Sequence, residues 1–202
     1  LYKCFLPQAW RLGAEKGVVG FLHPEGIYDE PNGGYFREQI YPRLRLHCQY
    51  QNEFSLFVGT NDHGRMKFGT HIYAVKKNKT IEFISIHNLF TPSTLDDCFN
   101  HSGQGIVGGI KEEGYIKGTY FSRWNTNGHS DRLIHTRIEH LALFAHLYDE
   151  VGTPALQARL PALHATQLVT VLEKFSNQPK RLGDLSKHYY STQLWNEVNA
   201  QN

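Results

Sequence analysis

The chain has 202 residues, of which 40% are hydrophobic and 13% aromatic, and its formal net charge at pH 7 is +2. This composition suffices for a sizeable core and one or two domains. The near-neutral charge excludes nucleic-acid binding by a uniformly basic surface, so such binding must rest on local clusters. No apolar run reaches the roughly 18 residues of a membrane span, and no signal-peptide pattern is present. Three cysteines without a CxxC pair favour a reducing compartment, so we expect a cytoplasmic protein.

The first 46 residues predict part of an α/β unit. Residues 2–12 carry apolar side chains at helical spacing, and GVVGFLHP at 17–24 is typical of a strand buried on both faces of a parallel sheet. A second helix is predicted for 32–46. Helix, buried strand and helix in this order favour a parallel α/β fold. Because neither end of the unit is finished, we expect the chain to begin inside a larger domain.

The middle of the chain predicts three β-rich segments, at 47–58, 67–77 and 79–90. The polar KKNK between the last two indicates a hairpin. A short helix follows, with Thr91 or Ser93 as its cap.

The rest of the chain begins with a glycine-rich stretch at 101–131 that predicts an extended loop or irregular strands. Residues 133–150 predict an amphipathic helix, and 162–176 predict a second. A polar and aromatic tail follows residue 180.

Two motifs resemble cofactor or metal sites but lack the required context. Gly103, Gly105 and Gly108 match G-x-G-x-x-G, but no hydrophobic strand precedes them and no helix follows, which favours a mobile loop. His135 and His140 lie five residues apart, so on a helix they diverge by about 140° and cannot share a zinc ion.

Neither the other histidines nor the adjacent carboxylates supply a site by their spacing. Of the twelve histidines, none is placed at ligand spacing from a cysteine or carboxylate, so we expect no metal site. The pairs Asp96–Asp97 and Glu112–Glu113 are explained by helix capping and surface charge.

Basic residues mixed with aromatic ones suit nucleic acid, because cations meet phosphates and aromatic rings stack on bases. Ordinary hairpin solubility, with lysines at a sheet edge, explains the pattern equally well. The candidate DNA-binding residues are Arg65, Lys67, Lys76, Lys77, Lys79, Lys117, Arg123 and Trp124.

Several longer phrases resemble one protein family and together cover most of the chain. They are LYKCFLPQAWRL, GVVGFLHPEGIYDEPNGGYFREQIYPRLRLHCQYQNE, ISIHNLFTPSTLDDCF, WNTNGHSDRLIHT and KRLGDLSKHYYSTQLWNEVNAQ. They resemble the Eco57I-type class of N6-adenine DNA methyltransferases of restriction-modification and phage-defence systems. In that family a Rossmann-like domain binds S-adenosylmethionine at an F-x-G-x-G-type loop, and an N-P-P-[FYW] tetrad grips the target adenine. Neither motif occurs in this sequence.

The resemblance therefore implies a position within a larger parent protein. Residues 1–90 would be the C-terminal half of the Rossmann-like methyltransferase sheet, and 91–202 would begin a mixed α+β target-recognition region. The implied function is that of a fragment of a site-specific adenine methyltransferase, in a parent that binds S-adenosylmethionine and double-stranded DNA. We expect no cofactor and no catalytic residue in this chain, which alone would be catalytically silent.

The resemblance also implies which side chains would lie near the target base. His23, Pro24, Glu25 and Tyr28 follow a strand whose carboxyl end opens into the active-site crevice, so they would form the pocket wall. An aromatic ring, Phe68 or Tyr73, would stack on the extruded adenine. Packing and turn formation are the competing explanations for all of them.

Two other functions remain open on the residues alone. A stand-alone nucleic-acid-binding or specificity module would use the basic and aromatic residues between 65 and 124. A self-contained hydrolase or nuclease would use the histidines and carboxylates, but no metal or nucleophile constellation has the required spacing.

Overall fold

A computed structural model describes residues 2–57, 66–180, 184 and 185. It is a mixed α/β structure around one five-stranded mixed sheet, which confirms the expected fold class in its coarse form. The sheet has strands β1 (Val18–Pro24), β2 (Leu44–Gln51), β3 (Lys67–Ala74), β4 (Glu82–Leu89) and β7 (Ile134–Arg137), and a separate hairpin has β5 (Lys111–Ile116) and β6 (Thr119–Trp124). The helices are α1 (Phe5–Leu12), α2 (Gly26–Asp29), α3 (Gly34–Ile40), α4 (Ser93–Asn100), α5 (Ile138–Tyr148) and α6 (Gln167–Ser176).

The strand order in the sheet is β1-β3-β2-β4-β7. Strand β3 is antiparallel to both of its neighbours, β1 and β2, so these two run in the same direction. Strand β4 is parallel to β2, and β7 is antiparallel to β4. The carboxyl ends of β1, β2 and β4 therefore lie along one edge of the sheet, at Pro24, Gln51 and Leu89. The first residue of β3, Lys67, lies there too, and we call this the carboxyl edge.

The expected hairpin between the second and third β-rich segments is wrong. Strand β2 lies between β3 and β4, and it pairs with both. The reason is burial on both faces of β2: Cys48 and Tyr50 are buried on one face, and His47 and Gln49 on the other. A strand of that kind belongs in the middle of a sheet, with a partner on each side.

Two predicted helices are shorter than expected because strands take up part of their sequence. The helix expected at 32–46 ends at Ile40, since Pro42 cannot continue it, and Leu44 instead pairs opposite Tyr73 in the sheet. In the segment expected to be a helix from 133, Ile134–Arg137 form β7 instead, and its alternate residues Ile134 and Thr136 are buried.

Other elements follow the expectation more closely. Helix α4 forms where a short helix was predicted, but its N-cap residue is Pro92, which forms no side-chain capping bond, and neither Thr91 nor Ser93 is the cap. Helix α6 begins at Gln167, within the segment predicted to be helical. The glycine-rich stretch contains a regular two-stranded hairpin.

Hydrophobic side chains cover both faces of the sheet. Helices α2, α3, α5 and α6 pack over one face, and the cluster there takes residues from both sides of the boundary expected at residue 90. Helix α4 covers part of the other face, through Cys98 against Cys48 and its neighbours. Among the described residues, no helix combines the length and apolarity needed to cross a membrane. The larger cluster includes Leu6, Ile27, Tyr28, Ile40, Tyr41, Leu44, Tyr73, Phe83, Leu141, Phe144 and Leu172.

Strand β1 lies at the edge of the sheet, although its sequence predicts a strand buried on both faces. Within the described residues it pairs with β3 alone, so half of its backbone groups lack a strand partner. Its apolar residues Val18 and Leu22 are 66% and 55% exposed. In the preceding helix α1, Phe5 and Leu12 are 57% and 78% exposed. This end of the sheet therefore presents apolar surface together with an open strand edge.

Candidate functional site

A buried polar cluster lies where β1 passes into α2. Its centre is Glu25, the N-cap residue of α2, which is only 4% exposed. Glu25 Oε2 lies 2.9 Å from His47 Nε2 and accepts a hydrogen bond from Gln49 Nε2 at 3.2 Å. His47 and Gln49 are alternate residues of β2, so both side chains lie on the same face of the sheet. The carboxylate therefore joins the end of β1 to the middle of the sheet.

The other oxygen of Glu25 faces β3. Its Oε1 lies 3.4 Å from His71 Nε2, and the sheet register places His71 directly opposite His47. The two imidazole centroids are 5.1 Å apart. Gly69 is the neighbour of His71 on this face of β3, and because it has no side chain it leaves space for the Glu25 carboxylate. Three elements thus converge on one carboxylate.

A chain of hydrogen bonds continues from His71 toward the carboxyl edge. His71 Nδ1 lies 3.4 Å from the hydroxyl of Tyr28, and that hydroxyl lies 2.6 Å from the hydroxyl of Tyr73. Tyr73 in turn lies 3.0 Å from His23 Nε2, and His23 Nδ1 lies 2.8 Å from the carbonyl oxygen of Pro24. The chain begins at an imidazole beside Glu25 and ends on a backbone carbonyl at the end of β1.

Burial sets the protonation of this cluster. Desolvation lowers the pKa of His71 well below its ordinary value, and the neighbouring His47 and His23 act in the same direction. Desolvation also lowers the pKa of His23, and it lowers the pKa of the adjacent buried His87 still more strongly. The pKa of Tyr28 is raised, mainly by burial. These imidazoles and this phenol are therefore neutral at pH 7.

Glu25, His47 and His71 could hold a metal ion. Each offers one ligand atom, these atoms lie within 4.8 Å of one another, and all three residues are buried. The sequence analysis missed this set because cross-strand register, and not spacing along the chain, brings the residues together. The available signal was a histidine at an inward position in each of two β-rich segments, which becomes informative only when the strand order is known.

The four residues expected to form a pocket wall lie at this cluster. His23, Glu25 and Tyr28 are brought together by it, whereas Pro24 is exposed at the carboxyl edge. Gln49, which bonds to Glu25, also lines an open cleft of about 270 Å³. Lys67 and Arg159 contribute positive charge to this cleft. Its other lining residues are Asp29, Tyr148, Leu160, Pro161 and Ala162.

The two aromatic residues expected to stack on a base are buried in the core. Tyr73 is fully buried within the hydrogen-bond chain, and Phe68 is 6% exposed on the opposite face of the sheet. The ring of Phe68 stacks on Tyr50 at 5.3 Å and meets Phe57 edge to face at 4.8 Å. Neither ring has a face open to a base in this structure, so stacking would require it to leave the core.

The candidate DNA-binding residues are divided between opposite edges of the sheet. Lys67 is exposed at the carboxyl edge. Lys76, Lys77 and Lys79 follow the other end of β3, and Lys76 forms an ion pair with Glu15. A cleft of about 640 Å³ also lies at that opposite edge, with Lys77 and Lys79 among its lining residues. Arg65 lies outside the described residues.

Three of the candidate DNA-binding residues, Lys117, Arg123 and Trp124, lie on the β5–β6 hairpin, and the base of this hairpin is at the carboxyl edge. Trp124, the last residue of β6, stacks on Phe90 at 4.8 Å, and Phe90 directly follows β4. Arg123 forms an ion pair with Glu112 at 2.9 Å. Lys117 lies at the turn between β5 and β6 with φ of 52°.

One exposed ring at the carboxyl edge was missed by the sequence analysis. Phe54 is the third residue after β2, is 47% exposed, and its ring lies 6.2 Å from that of Phe90.

No family model, curated protein or solved structure matches the chain. Its function is therefore argued from the residues and their geometry.

Proposed function

We propose that this chain supplies the second half of the catalytic sheet of an N6-adenine DNA methyltransferase. In this proposal the half that binds S-adenosylmethionine comes from a preceding segment of a larger parent protein. The sequence phrases that resemble the Eco57I-type class motivate it. The observation that carries it is the edge of β1 that has no strand partner among the described residues, although the sequence of β1 is that of an interior strand.

The edge of β1 is suited to a further parallel strand. Strands in the interior of parallel sheets are apolar along their whole length because helices cover both of their faces. Val18 and Leu22 of β1 are mostly exposed, as are Phe5 and Leu12 of the neighbouring helix. A strand beside β1, with its own helix, would pair the free backbone groups and cover these side chains. Its carboxyl end would then lie next to Pro24.

The position of the carboxyl end of this additional strand fits the chemistry of N6 methylation. N6 methylation requires an extruded adenine, with its amino nitrogen aligned on the methyl sulfonium of the donor and its hydrogens accepted by oxygen atoms. The nitrogen gains the methyl group and loses a proton, while the sulfonium becomes a neutral thioether. Ligands of open α/β sheets bind outside the carboxyl ends of the strands. The family tetrad would lie in the preceding strand, and this chain would contribute the adjoining wall.

The buried cluster holds the chain in place at Pro24 and Glu25, the residues that would form this wall. The carbonyl of Pro24 accepts a hydrogen bond from His23 Nδ1, and the Glu25 carboxylate is held by His47 and Gln49. Residues that pre-position a reacting base have to be held rigidly, since small displacements slow the reaction strongly. Glu25, His47 and Gln49 are thus assigned a positioning role and no direct contact with the adenine.

Methyl transfer by the parent protein tests the proposal. The parent is incubated with tritiated S-adenosylmethionine and duplexes that contain adenine, with duplexes pre-methylated at N6 as the matched control. We expect label in the first DNA, little in the second, and none from the 202-residue chain alone. The proposal fails if the folded parent neither binds the donor nor labels adenine.

A DNA-binding module without catalysis is the second candidate. It is favoured by the carboxyl edge, which carries the exposed Lys67 and two rings, Phe54 and Trp124, that both lie near the ring of Phe90. Salt-dependent DNA binding by the chain alone, combined with absence of methyl transfer by the parent, would select this function.

A further inference from the structure

The hydrogen atoms in the chain from Pro24 to His71 can be assigned one by one. The carbonyl of Pro24 can only accept, so His23 Nδ1 donates to it. The neutral His23 ring then has an accepting Nε2, which takes the hydroxyl hydrogen of Tyr73. Tyr73 oxygen therefore accepts from the hydroxyl of Tyr28. Tyr28 oxygen in turn accepts from His71 Nδ1, so the hydrogen of the neutral His71 ring is on Nδ1.

The assignment leaves two acceptors facing each other. His71 Nε2 carries a lone pair, and it faces Glu25 Oε1 at 3.4 Å. Both atoms are buried, and neither has a hydrogen-bond partner among the described residues. Two lone pairs at this distance in a buried site repel one another unless a positive charge lies between them.

We propose that Glu25, His47 and His71 bind a divalent transition-metal ion, of the Zn²⁺ type, at this position. One carboxylate and two imidazoles form a ligand set that zinc accepts. Zinc bonds of about 2.0–2.2 Å to nitrogen and oxygen place neighbouring ligand atoms roughly 3.3 Å apart in a tetrahedral site. The separation of Glu25 Oε1 from His71 Nε2 is 3.4 Å, close to that value.

The surrounding residues provide what a metal site needs beyond its three ligands. Metal-bound histidines donate their other ring hydrogen to an acceptor, and His71 Nδ1 already donates to Tyr28. His47 has to carry its hydrogen on Nδ1 when Nε2 binds the metal. The rings of His47 and His87 lie 5.0 Å apart, and neither His47 Nδ1 nor His87 Nε2 has a hydrogen-bond partner among the described residues, so a bond between them on metal binding requires the rings to move closer. Gln49 Oε1, likewise buried and unpartnered there, is available as a fourth ligand.

The charge of the cluster also favours a cation. Glu25 is buried, and within the described part of the chain its ion-pair partners are the imidazoles of His47 and His71, without a lysine or arginine. A buried carboxylate is costly unless a cation compensates its charge. A bound cation removes this cost and ties together the end of β1, β2 and β3. The inferred role is structural, because the site is closed to solvent and its ligands come from three separate elements.

Metal content tests this inference without any measurement of methylation. The purified 202-residue chain is stripped with a chelator, given one equivalent of Zn²⁺, desalted and analysed for bound metal. The same procedure is applied to His71→Gln and Glu25→Gln, and to His135→Gln, an exposed histidine of β7, as the matched control. Circular dichroism verifies that each variant is folded.

We expect about one zinc ion per chain in the wild type and in His135→Gln, with at least a tenfold weaker affinity in the two ligand variants. The melting temperature of the wild type should rise when zinc is added. Wild-type chain that retains no zinc would overturn the inference and leave a proton shared between Glu25 and His71. Full retention by the folded ligand variants would overturn it as well, by placing the ion elsewhere.

A second measurement covers the case in which the ligand variants do not fold. Cobalt(II) replaces zinc in such sites and absorbs visible light strongly when four ligands surround it tetrahedrally. Intense visible absorption by the cobalt-loaded wild-type chain supports the site. The weak absorption of octahedral cobalt would refute it, whatever the variants do.

Discussion

Gly69 lies directly beneath the carboxylate of Glu25. A methyl group added at position 69 would overlap with Glu25 Oε1 and with the imidazole of His71. The polar cluster therefore depends on a missing side chain in β3 as much as on the groups that are present. Since β3 lies between β1 and β2, this contact sets how closely the end of β1 approaches the middle of the sheet.

Gly69→Ala should accordingly disrupt the cluster. We expect a loss of about 2–3 kcal/mol in the free energy of unfolding, because the imidazole and the carboxylate are both held in a packed interior. Urea denaturation measures this loss. Gly20→Ala on β1 is the matched control, since the nearest atom to its added methyl group is Ile72 Cδ1 at an ordinary 3.5 Å. Equal stability of the two variants would contradict the close packing described for Glu25.

Arg37 should be essential for the position of α2. Its guanidinium is 1% exposed and donates to the carbonyls of Ile27, Glu30 and Gln157, at distances between 2.7 and 3.2 Å. Arg37→Met removes these bonds and leaves the carbonyls buried, at an expected cost of about 3 kcal/mol. Arg11→Met, on the exposed surface of α1, should change stability by no more than about 0.5 kcal/mol. Thermal and urea unfolding of both variants compares them; a small effect at Arg37 would refute this anchoring.

DNA affinity should depend on Lys67 and not on the lysines at the opposite edge. In the proposed parent protein, Lys67→Ala should weaken binding and reduce the salt dependence by about one released counterion, since Lys67 lies at the edge where the proposal places the extruded base. The triple variant Lys76→Ala, Lys77→Ala and Lys79→Ala should leave both quantities nearly unchanged. Fluorescence anisotropy of a labelled duplex at several salt concentrations measures them.

The two variants distinguish DNA that approaches the carboxyl edge from DNA that approaches the opposite edge. The sequence pattern of basic and aromatic residues had grouped all four lysines together as candidate DNA-binding residues. A large loss of affinity in the triple variant, with none in Lys67→Ala, would show that DNA approaches the other edge, and it would contradict the proposed orientation of the methyltransferase sheet.

The three cysteines should differ sharply in reactivity. Cys4 is exposed, whereas Cys48 and Cys98 are buried. Burial raises the pKa of Cys48 to about 12 and also raises that of Cys98. At pH 8 the thiolate fraction of a group with pKa 12 is only about 1 in 10,000, and the thiolate is the reactive form. One thiol per folded chain should therefore react with a disulfide reagent, and all three after unfolding in urea. Rapid reaction of a second thiol in the folded chain would contradict the burial of the face that α4 covers.

Local sequence patterns predicted some elements because their signals are complete within a few residues. The strand at the end of GVVGFLHP, the short helix after Pro92 and the helix that ends at Ser176 are of this kind. Strand β7 was missed because Ile134, Ile138 and Leu141 also fit helical spacing. Its short alternating pattern acquires meaning only beside β4, which pairs with it.

Only part of the candidate site, namely the residues at the end of β1 and in α2, was predicted from the sequence. His23, Glu25 and Tyr28 were singled out through the family resemblance, which places them at the carboxyl end of a strand that opens into a crevice. His47 and His71 were not, since their approach to Glu25 depends on β3 being placed between β1 and β2. Strand order is set by which faces can be buried together, and a hairpin rule that pairs neighbouring segments cannot supply it.

Hydrogen exchange along residues 18–24 is the most direct test of the account. In the chain alone, roughly half of the β1 amides should exchange rapidly, because β3 pairs with only one side of the strand. In the parent protein these same amides should be protected by the strand that the proposal places beside β1. An identical exchange profile in both proteins would contradict the continuation of the sheet and, with it, the proposed function.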